Sequence, residues 1–141
     1  MRQYTLPKSE RLYLRESIGE LFAKGRSFTA FPYRVVYLLS PEGEHAERED
    51  RQSRCAIMAV APKKRFKHAV DRNHVKRLTR EAYRLQKLSL IDLLKERGLR
   101  MEVAFLYVDD KFISFDETYR IIGRSLNKLQ KAVISANRDE Q

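Results

Sequence analysis

Apolar and polar residues follow two different periods along this chain, and the periods separate predicted helices from predicted strands. Apolar side chains three and four positions apart are typical of a helix with one buried face, whereas short β-branched and aromatic runs are typical of strands. The predicted helices cover residues 9–24, 68–87, 88–97 and a last segment that opens near Ser114. The predicted strands cover a short stretch at Phe28 and residues 33–39, 55–61 and 101–108. This order predicts one domain over residues 1–141, an α/β (α+β) two-layer sandwich with helices on a small, mainly antiparallel sheet of about four strands.

Two of the predicted helices carry recognisable end signals. Ser9 is the expected N-cap of the first helix, and Gly25 is its expected stop. Ser114 and Glu117 fit the S-x-x-E capping box that opens a helix. The last helix then shows a core-facing stripe at Ile122, Leu126, Leu129 and Val133.

Two segments are expected to lie outside the packed core. Residues 41–54 hold five acids, three arginines and almost no apolar side chains, which predicts a flexible acidic loop between strands. Residues 137–141 are polar and are expected to fray. The single cysteine, Cys55, begins an apolar run and is expected to be a buried free thiol.

The net charge of +10 and the pI of about 9.9 favour a polyanionic partner. Nucleic acid is the usual partner of so basic a domain, and an acidic membrane surface is the less frequent one. The sequence has no apolar run of about 18 residues, and residues 1–10 lack the apolar centre of a signal peptide. With one cysteine, the chain is expected to work in the reducing cytoplasm and not in a membrane.

The positive charge is concentrated in residues 62–87, which carry ten cations and two acids and therefore a net +8. The rest of the chain is almost neutral, so the charge is directed to one place, as a binding face requires. The ten cations are Lys63, Lys64, Arg65, Lys67, Arg72, Lys76, Arg77, Arg80, Arg84 and Lys87.

A helical projection of residues 68–87 separates an apolar face from a cationic face. The predicted core face consists of Val75, Leu78, Ala82 and Leu85. The opposite face consists of Arg72, Asn73, Lys76, Arg80, Arg84 and Lys87, with Arg77 at one edge. A merely solvated helix face would mix charge signs, because like charges four residues apart destabilise a helix. A face of one sign therefore favours nucleic acid.

No nuclease site is evident from the residue spacing. His68 and His74 lack a second histidine or a cysteine at metal-ligand spacing, so hydrogen bonding to RNA or simple exposure is the preferred interpretation. Asp109 and Asp110 are adjacent and precede a predicted turn, which favours a structural role. Any reaction is expected to depend on a partner.

Residues 63–81 (KKRFKHAVDRNHVKRLTRE) closely resemble the signature of the bacterial ribonuclease P protein component, roughly K-K-x-x-x-x-A-V-x-R-N-R-x-K-R-x-x-R-E. The resemblance implies a sandwich with an unusual left-handed βαβ crossover. It also implies removal of the 5′ leader from precursor tRNA by a large catalytic RNA. That RNA uses Mg²⁺, and the protein is expected to hold no metal itself and to contact both the RNA and the leader.

The resemblance and the charge together give a set of expected site residues. Contacts with the catalytic RNA are expected from Lys63, Lys64, Arg65, Lys67, Arg72, Asn73, His74, Lys76, Arg77, Arg80 and Arg84. His74 stands where the family pattern has arginine, so a fixed charge and a bidentate donor are lost there. The leader is expected in a cleft at Ile18, Phe22 and Tyr37, where ordinary core packing is the alternative for the two aromatic rings.

Three other functions remain open at this point. A ribosomal protein or RNA chaperone would also use a basic helix, but it would not need these residues at fixed spacing. A DNA-binding regulator is less well supported, because no helix-turn-helix leads into residues 68–87. A protein-only nuclease would need a carboxylate or metal cluster that the spacing does not supply.

Overall fold

The computed structural model describes residues 6–139, apart from the side chains of residues 51 and 137–139. Its helices are α1 (Arg15–Lys24), α2 (Ala69–Gln86), α3 (Leu88–Arg97) and α4 (Phe115–Asp139). Its strands are β1 (Arg26–Ala30), β2 (Tyr33–Pro41), β3 (Cys55–Val60) and β4 (Leu99–Tyr107). Short 3₁₀ turns lie at Lys8–Glu10 and Glu49–Arg51. The predicted α+β class is confirmed.

The four strands form one sheet in the order β1-β2-β4-β3. β1 pairs antiparallel with β2, and β2 pairs antiparallel with β4. β3 lies parallel to β4, with Val60 opposite Leu106. The mainly antiparallel sheet is therefore confirmed, and its one parallel pair is joined by a crossover through α2 and α3. The left-handed sense of that crossover stays a prediction.

The two faces of the sheet are covered unequally. On one face, alternate strand residues such as Val35, Val103 and Phe105 meet α2, α3 and α4 in the main core, which includes the buried Cys55. Burial raises the pKa of the Cys55 thiol to about 11. On the other face, α1 and the residues just before it cover a smaller second cluster. Its buried members are Leu12, Leu21, Val36, Ala56 and Ala104.

Helix α1 begins six residues later than the sequence pattern predicts, so the predicted N-cap at Ser9 is wrong. Residues 11–14 are extended, and Arg11 forms an isolated parallel bridge with Ile57 of β3. The backbone N–H of Leu12 donates to the Ile57 carbonyl at 2.7 Å. The chain pairs with the sheet edge here because the leucine then enters the second cluster, and this tertiary contact outweighs helix propensity.

The segment 41–54 is anchored to α1 by a buried carboxylate. The side chain of Asp50 accepts hydrogen bonds from the backbone N–H of Leu14 at 3.0 Å and from the Ser17 hydroxyl at 2.8 Å. Helix α1 has no side-chain cap of its own, so Asp50 satisfies donors that the helix start leaves open. The buried guanidinium of Arg100 donates to the Asp50 carbonyl at 3.2 Å. The predicted flexible loop is thus fixed at one buried point.

Two predicted helix ends, the stop of α1 at Gly25 and the cap of α4 at Ser114, are confirmed. Helix α1 stops at Gly25, where a Cβ would lie 2.4 Å from the Leu21 carbonyl oxygen. The Ser114 hydroxyl accepts a hydrogen bond from the Glu117 backbone N–H at 3.1 Å, as the capping box predicts. Helix α4 extends to Asp139, into the segment 137–141 that is expected to fray, and residues 140–141 lie outside the described part.

Replacing Asp50 by Ala should lower the free energy of unfolding by about 2–3 kcal/mol, because buried N–H and O–H donors lose their acceptor. Urea unfolding measures this loss. Glu47→Ala is the matched control, since that side chain is 76% exposed and should change stability by less than about 0.5 kcal/mol. Equal effects of the two substitutions would show that Asp50 does not anchor α1.

Candidate nucleic-acid interface

The basic segment divides into an exposed loop and a partly covered helix. Lys63, Lys64, Arg65 and Lys67 are all exposed between β3 and α2. On α2, Asn73 and Arg77 are exposed, whereas the other predicted contacts are half-buried. These half-buried residues are Arg72, His74, Lys76, Arg80 and Arg84. All eleven predicted RNA contacts therefore lie on one continuous stretch of chain, and all four of those in the loop are exposed.

Val75 and Ala82 are buried as predicted, but the core face of α2 is rotated by roughly 60° about the helix axis from the predicted one. The buried positions are Val75, Thr79, Ala82 and Tyr83, whereas Leu85 is 37% exposed. Thr79 can be buried because its hydroxyl lies 2.7 Å from that of Tyr33 and donates to the Val75 carbonyl. The rotation turns Arg77 to the centre of the solvent face and moves Arg72 off that face, onto the side of α2 that packs against the protein.

Three of the ten cations in residues 62–87 are engaged within the protein. Lys87, placed on the cationic face by projection, is buried and forms an ion pair with Glu10 at 2.8 Å. Arg84 donates to the Glu81 carboxylate one turn away. Arg72 donates through Nη1 to the carbonyls of Phe66 and Lys67, each at 3.0 Å. Arg72 therefore positions the basic loop and is not simply a free charge.

Among the residues whose side chains the structure describes, the other seven cations have no acidic partner within 4 Å. They form a surface that is positive over its whole length, and such a surface attracts phosphates. Partial burial, and next the charge of Arg11, lower the pKa of Arg80. The positive charge of Arg11 therefore adds to the positive potential at Arg80. The sequence analysis missed Arg11, because its place beside β3 depends on a bridge between residues 46 positions apart.

An aromatic cluster adjoins the basic loop. Phe66 is buried and stacks on Phe112 with ring centroids 5.0 Å apart and an interplanar angle of 17°. The ring of His74 meets Phe112 at 5.5 Å and 88°. His74, which replaces the arginine of the family pattern, therefore packs against an aromatic ring.

The three residues predicted to line a leader cleft do not lie together. Ile18 packs into the second cluster beneath α1, and Phe22 on the same helix is 47% exposed. Tyr37 faces the opposite side of the sheet, where its ring lies 6.1 Å from Phe28 in the main core. The prediction that Tyr37 shares this cleft is wrong, because successive strand residues point to opposite faces and Val36 occupies the side that faces α1.

The face that α1 covers has an open part beside the helix. Leu38, Met58 and Leu106 are half-buried there and pack against the second cluster. Arg34, two residues before Val36 on β2, is exposed on the same face by strand alternation. An apolar floor with a cation beside it suits a single strand of nucleic acid, whose bases are apolar on their faces and whose backbone is anionic.

The described residues show no cluster of side chains that could hold a metal ion. Within residues 6–139, no three His, Cys, Asp or Glu side chains lie close enough together to hold a metal ion. The carboxylate of Asp109 accepts the backbone N–H of Asp110 at 2.9 Å, which is a turn contact. Over the same range there is no helix with both the length and the apolar composition needed to cross a membrane.

Comparison with known proteins adds a family to this geometry. The family model described as Ribonuclease P matches residues 6–103. The chain is 41% identical to the ribonuclease P protein component of Porphyromonas gingivalis over 133 residues, which covers 94% of this chain and 92% of the relative. It is 29% identical to the ribonuclease P protein component of Chlorobium phaeobacteroides, with coverage of 89% and 88%.

A solved structure shares the fold. The ribonuclease P protein of Staphylococcus aureus superimposes with a TM-score of 0.60 and 18% sequence identity, over 88% of this chain and 97% of that protein. At this identity the likeness concerns the fold alone.

Proposed function

The chain belongs to the ribonuclease P protein family, and on this premise we propose that it binds the large catalytic RNA of ribonuclease P and the 5′ leader of precursor tRNA. Ribonuclease P is a tRNA-processing endonuclease, and this chain is its protein component. The family match disfavours a ribosomal protein or RNA chaperone.

The observation that carries the RNA-binding proposal is the unpaired charge of the basic segment. Seven cations without acidic partners among the described residues line the loop at 63–67 and the outer side of α2. Like charges held together in a folded protein repel one another, and a polyanion removes that repulsion. Because Arg72 fixes the loop through two carbonyls, the loop is partly ordered before it binds.

The chemistry is assigned to the RNA partner, with Mg²⁺ expected on that RNA. Among the described residues, no group of three or more His, Cys, Asp or Glu side chains could hold a metal ion, and this supports placing the Mg²⁺ on the RNA. The protein would contribute binding, orientation and neutralisation of phosphates. We place the complex in the cytoplasm, since a free thiol fits a reducing compartment, and cell fractionation would check this.

For the leader, we propose the open part of the sheet face beside α1. Met58 and Leu106 form the apolar floor of this surface, and α1 beside it carries the exposed ring of Phe22. Arg34 supplies a charge for the leader backbone. Tyr37 is left out of this surface, because it belongs to the main core on the other face.

Reconstitution tests the whole proposal. The chain alone should cleave no precursor tRNA, and together with its cognate ribonuclease P RNA it should raise the cleavage rate at low Mg²⁺ concentration. The reason is that protein cations replace part of the ionic screening that the RNA otherwise needs. Cleavage by RNA-free protein would overturn the assignment of chemistry to the RNA. Absence of stimulation would overturn the partnership.

Replacing Lys76 and Arg77 by Gln should reduce the dependence of RNA affinity on salt concentration. Each lost phosphate contact lowers the slope of log K against log salt by about 0.7–0.9, so the double variant should lose about 1–2 units. Filter-binding titrations at several salt concentrations measure the slope. Lys95→Gln with Lys131→Gln removes the same charge from exposed positions elsewhere and should leave the slope near wild type. Equal slopes for both double variants would exclude α2 as the RNA face.

Replacing Phe22 by Ala should weaken binding of leader-bearing precursor tRNA to the reconstituted enzyme by about 1–3 kcal/mol, the usual worth of one stacked base. Binding of mature tRNA, which has no leader, should stay unchanged. Tyr37→Phe, on the other face, should alter neither affinity. If Phe22→Ala affects precursor and mature tRNA equally, the leader does not contact this ring.

A further inference from the structure

The connection between β4 and α4 presents an exposed aromatic ring beside the basic loop. Phe112 is 51% exposed although Phe66 stacks on it at 5.0 Å. A phenyl ring with one face covered leaves about half of its surface to solvent, which agrees with this exposure. Phe66 is itself held in the main core and packs on Tyr107 at 5.6 Å, so the outer ring has a rigid support.

The surroundings of Phe112 favour RNA over a second copy of this chain. Phe112 follows the exposed Lys111, and Phe66 lies between the exposed Arg65 and Lys67. Two such cationic patches would repel each other if the ring mediated self-association. An aromatic side chain within a cationic surface suits an unpaired base, which stacks on the ring while neighbouring cations contact its phosphates.

His74 supports the same conclusion. Its ring meets Phe112 at 88° in the edge-to-face geometry that aromatic pairs prefer, so it helps to hold the phenyl ring in place. Asp109 and Asp110 lie in the same connection, and their charge disfavours a phosphate on that side. The ring is therefore better suited to a base than to the RNA backbone.

We propose that Phe112, supported by Phe66 and His74, is a stacking platform for an unpaired base of the ribonuclease P RNA. This inference rests on the proposed function and adds a specific contact that is not electrostatic. Because the phenyl ring carries no charge, its removal should lower RNA affinity without changing the salt dependence of binding.

The first test compares Phe112→Leu and Phe112→Tyr in equilibrium binding to the cognate ribonuclease P RNA at fixed salt. The leucine variant should bind about five- to one-hundred-fold more weakly, with an unchanged salt slope, and the tyrosine variant should bind like wild type. Phe31→Leu is the matched control, since Phe31 is 65% exposed in the turn between β1 and β2. Leucine and wild-type affinities within two-fold of each other would overturn the inference, as would equal losses in both Phe112 variants.

A second test uses a substitution that keeps an aromatic ring at position 112 and measures fluorescence. The chain has no tryptophan, so Phe112→Trp creates a single fluorescent reporter at the platform. Saturating ribonuclease P RNA should quench this fluorescence by stacking, and the control Phe31→Trp should show no quenching. Quenching by precursor tRNA alone, with none by ribonuclease P RNA, would overturn the choice of RNA. Sedimentation showing that Phe112→Leu dissociates a dimer, with RNA affinity unchanged, would assign the ring to self-association.

The two proposals fail in different ways. If the wild-type protein does not bind ribonuclease P RNA, the proposed function fails, and the platform fails with it. If the wild-type protein binds and Phe112→Leu binds equally well, only the platform is wrong.

Discussion

The parallel pairing of β3 with β4 is the constraint on which the rest of the structure depends. Two adjacent parallel strands require a long connection that runs from the end of the first strand back to the level at which the second strand begins. Here the return occupies residues 61–98, and it contains nearly all of the net charge of the chain. Because one side of α2 must pack on the sheet, its cations are confined to the remaining sides. The topology thus converts a basic sequence into a directed basic surface.

Long-range polar contacts bring the N-terminal segment to this surface. The ion pair between Lys87 and Glu10 ties the end of α2 to the turn before Arg11, and Asp50 holds the start of α1. The buried polar groups are costly unless they are paired, so each contact fixes one relative position of the segments. Arg11, which lies far from the motif in sequence, thereby comes close enough to Arg80 for its charge to lower the pKa of that guanidinium.

The sequence predicts the elements well because their periods and end signals are local, as at Gly25 and Ser114. Prediction from the sequence is wrong where a contact with a residue far away along the chain determines whether a side chain is buried. Thr79 is polar, yet it is buried through its hydrogen bond to Tyr33, 46 residues away, and this turns α2 from its predicted orientation. The prediction for Tyr37 is wrong for another reason. Leu38 and Leu39 follow Tyr37, so the sequence of β2 does not alternate between apolar and polar residues, and the sheet face of Tyr37 could not be assigned from it.

The position of His74 links these observations. An arginine there would add a fixed charge to a surface that already has seven cations without acidic partners among the described residues, and each further charge adds repulsion in the free protein. Histidine instead gives a flat ring that fits against Phe112. Histidine at this position therefore gives up non-specific attraction for phosphates and provides a ring that packs against Phe112. Positive charge attracts any polyanion, whereas a supported aromatic ring increases affinity only for an RNA that can present an unpaired base. If Phe112 is the proposed stacking platform, His74 favours selectivity at the edge of a surface whose affinity comes from its cations.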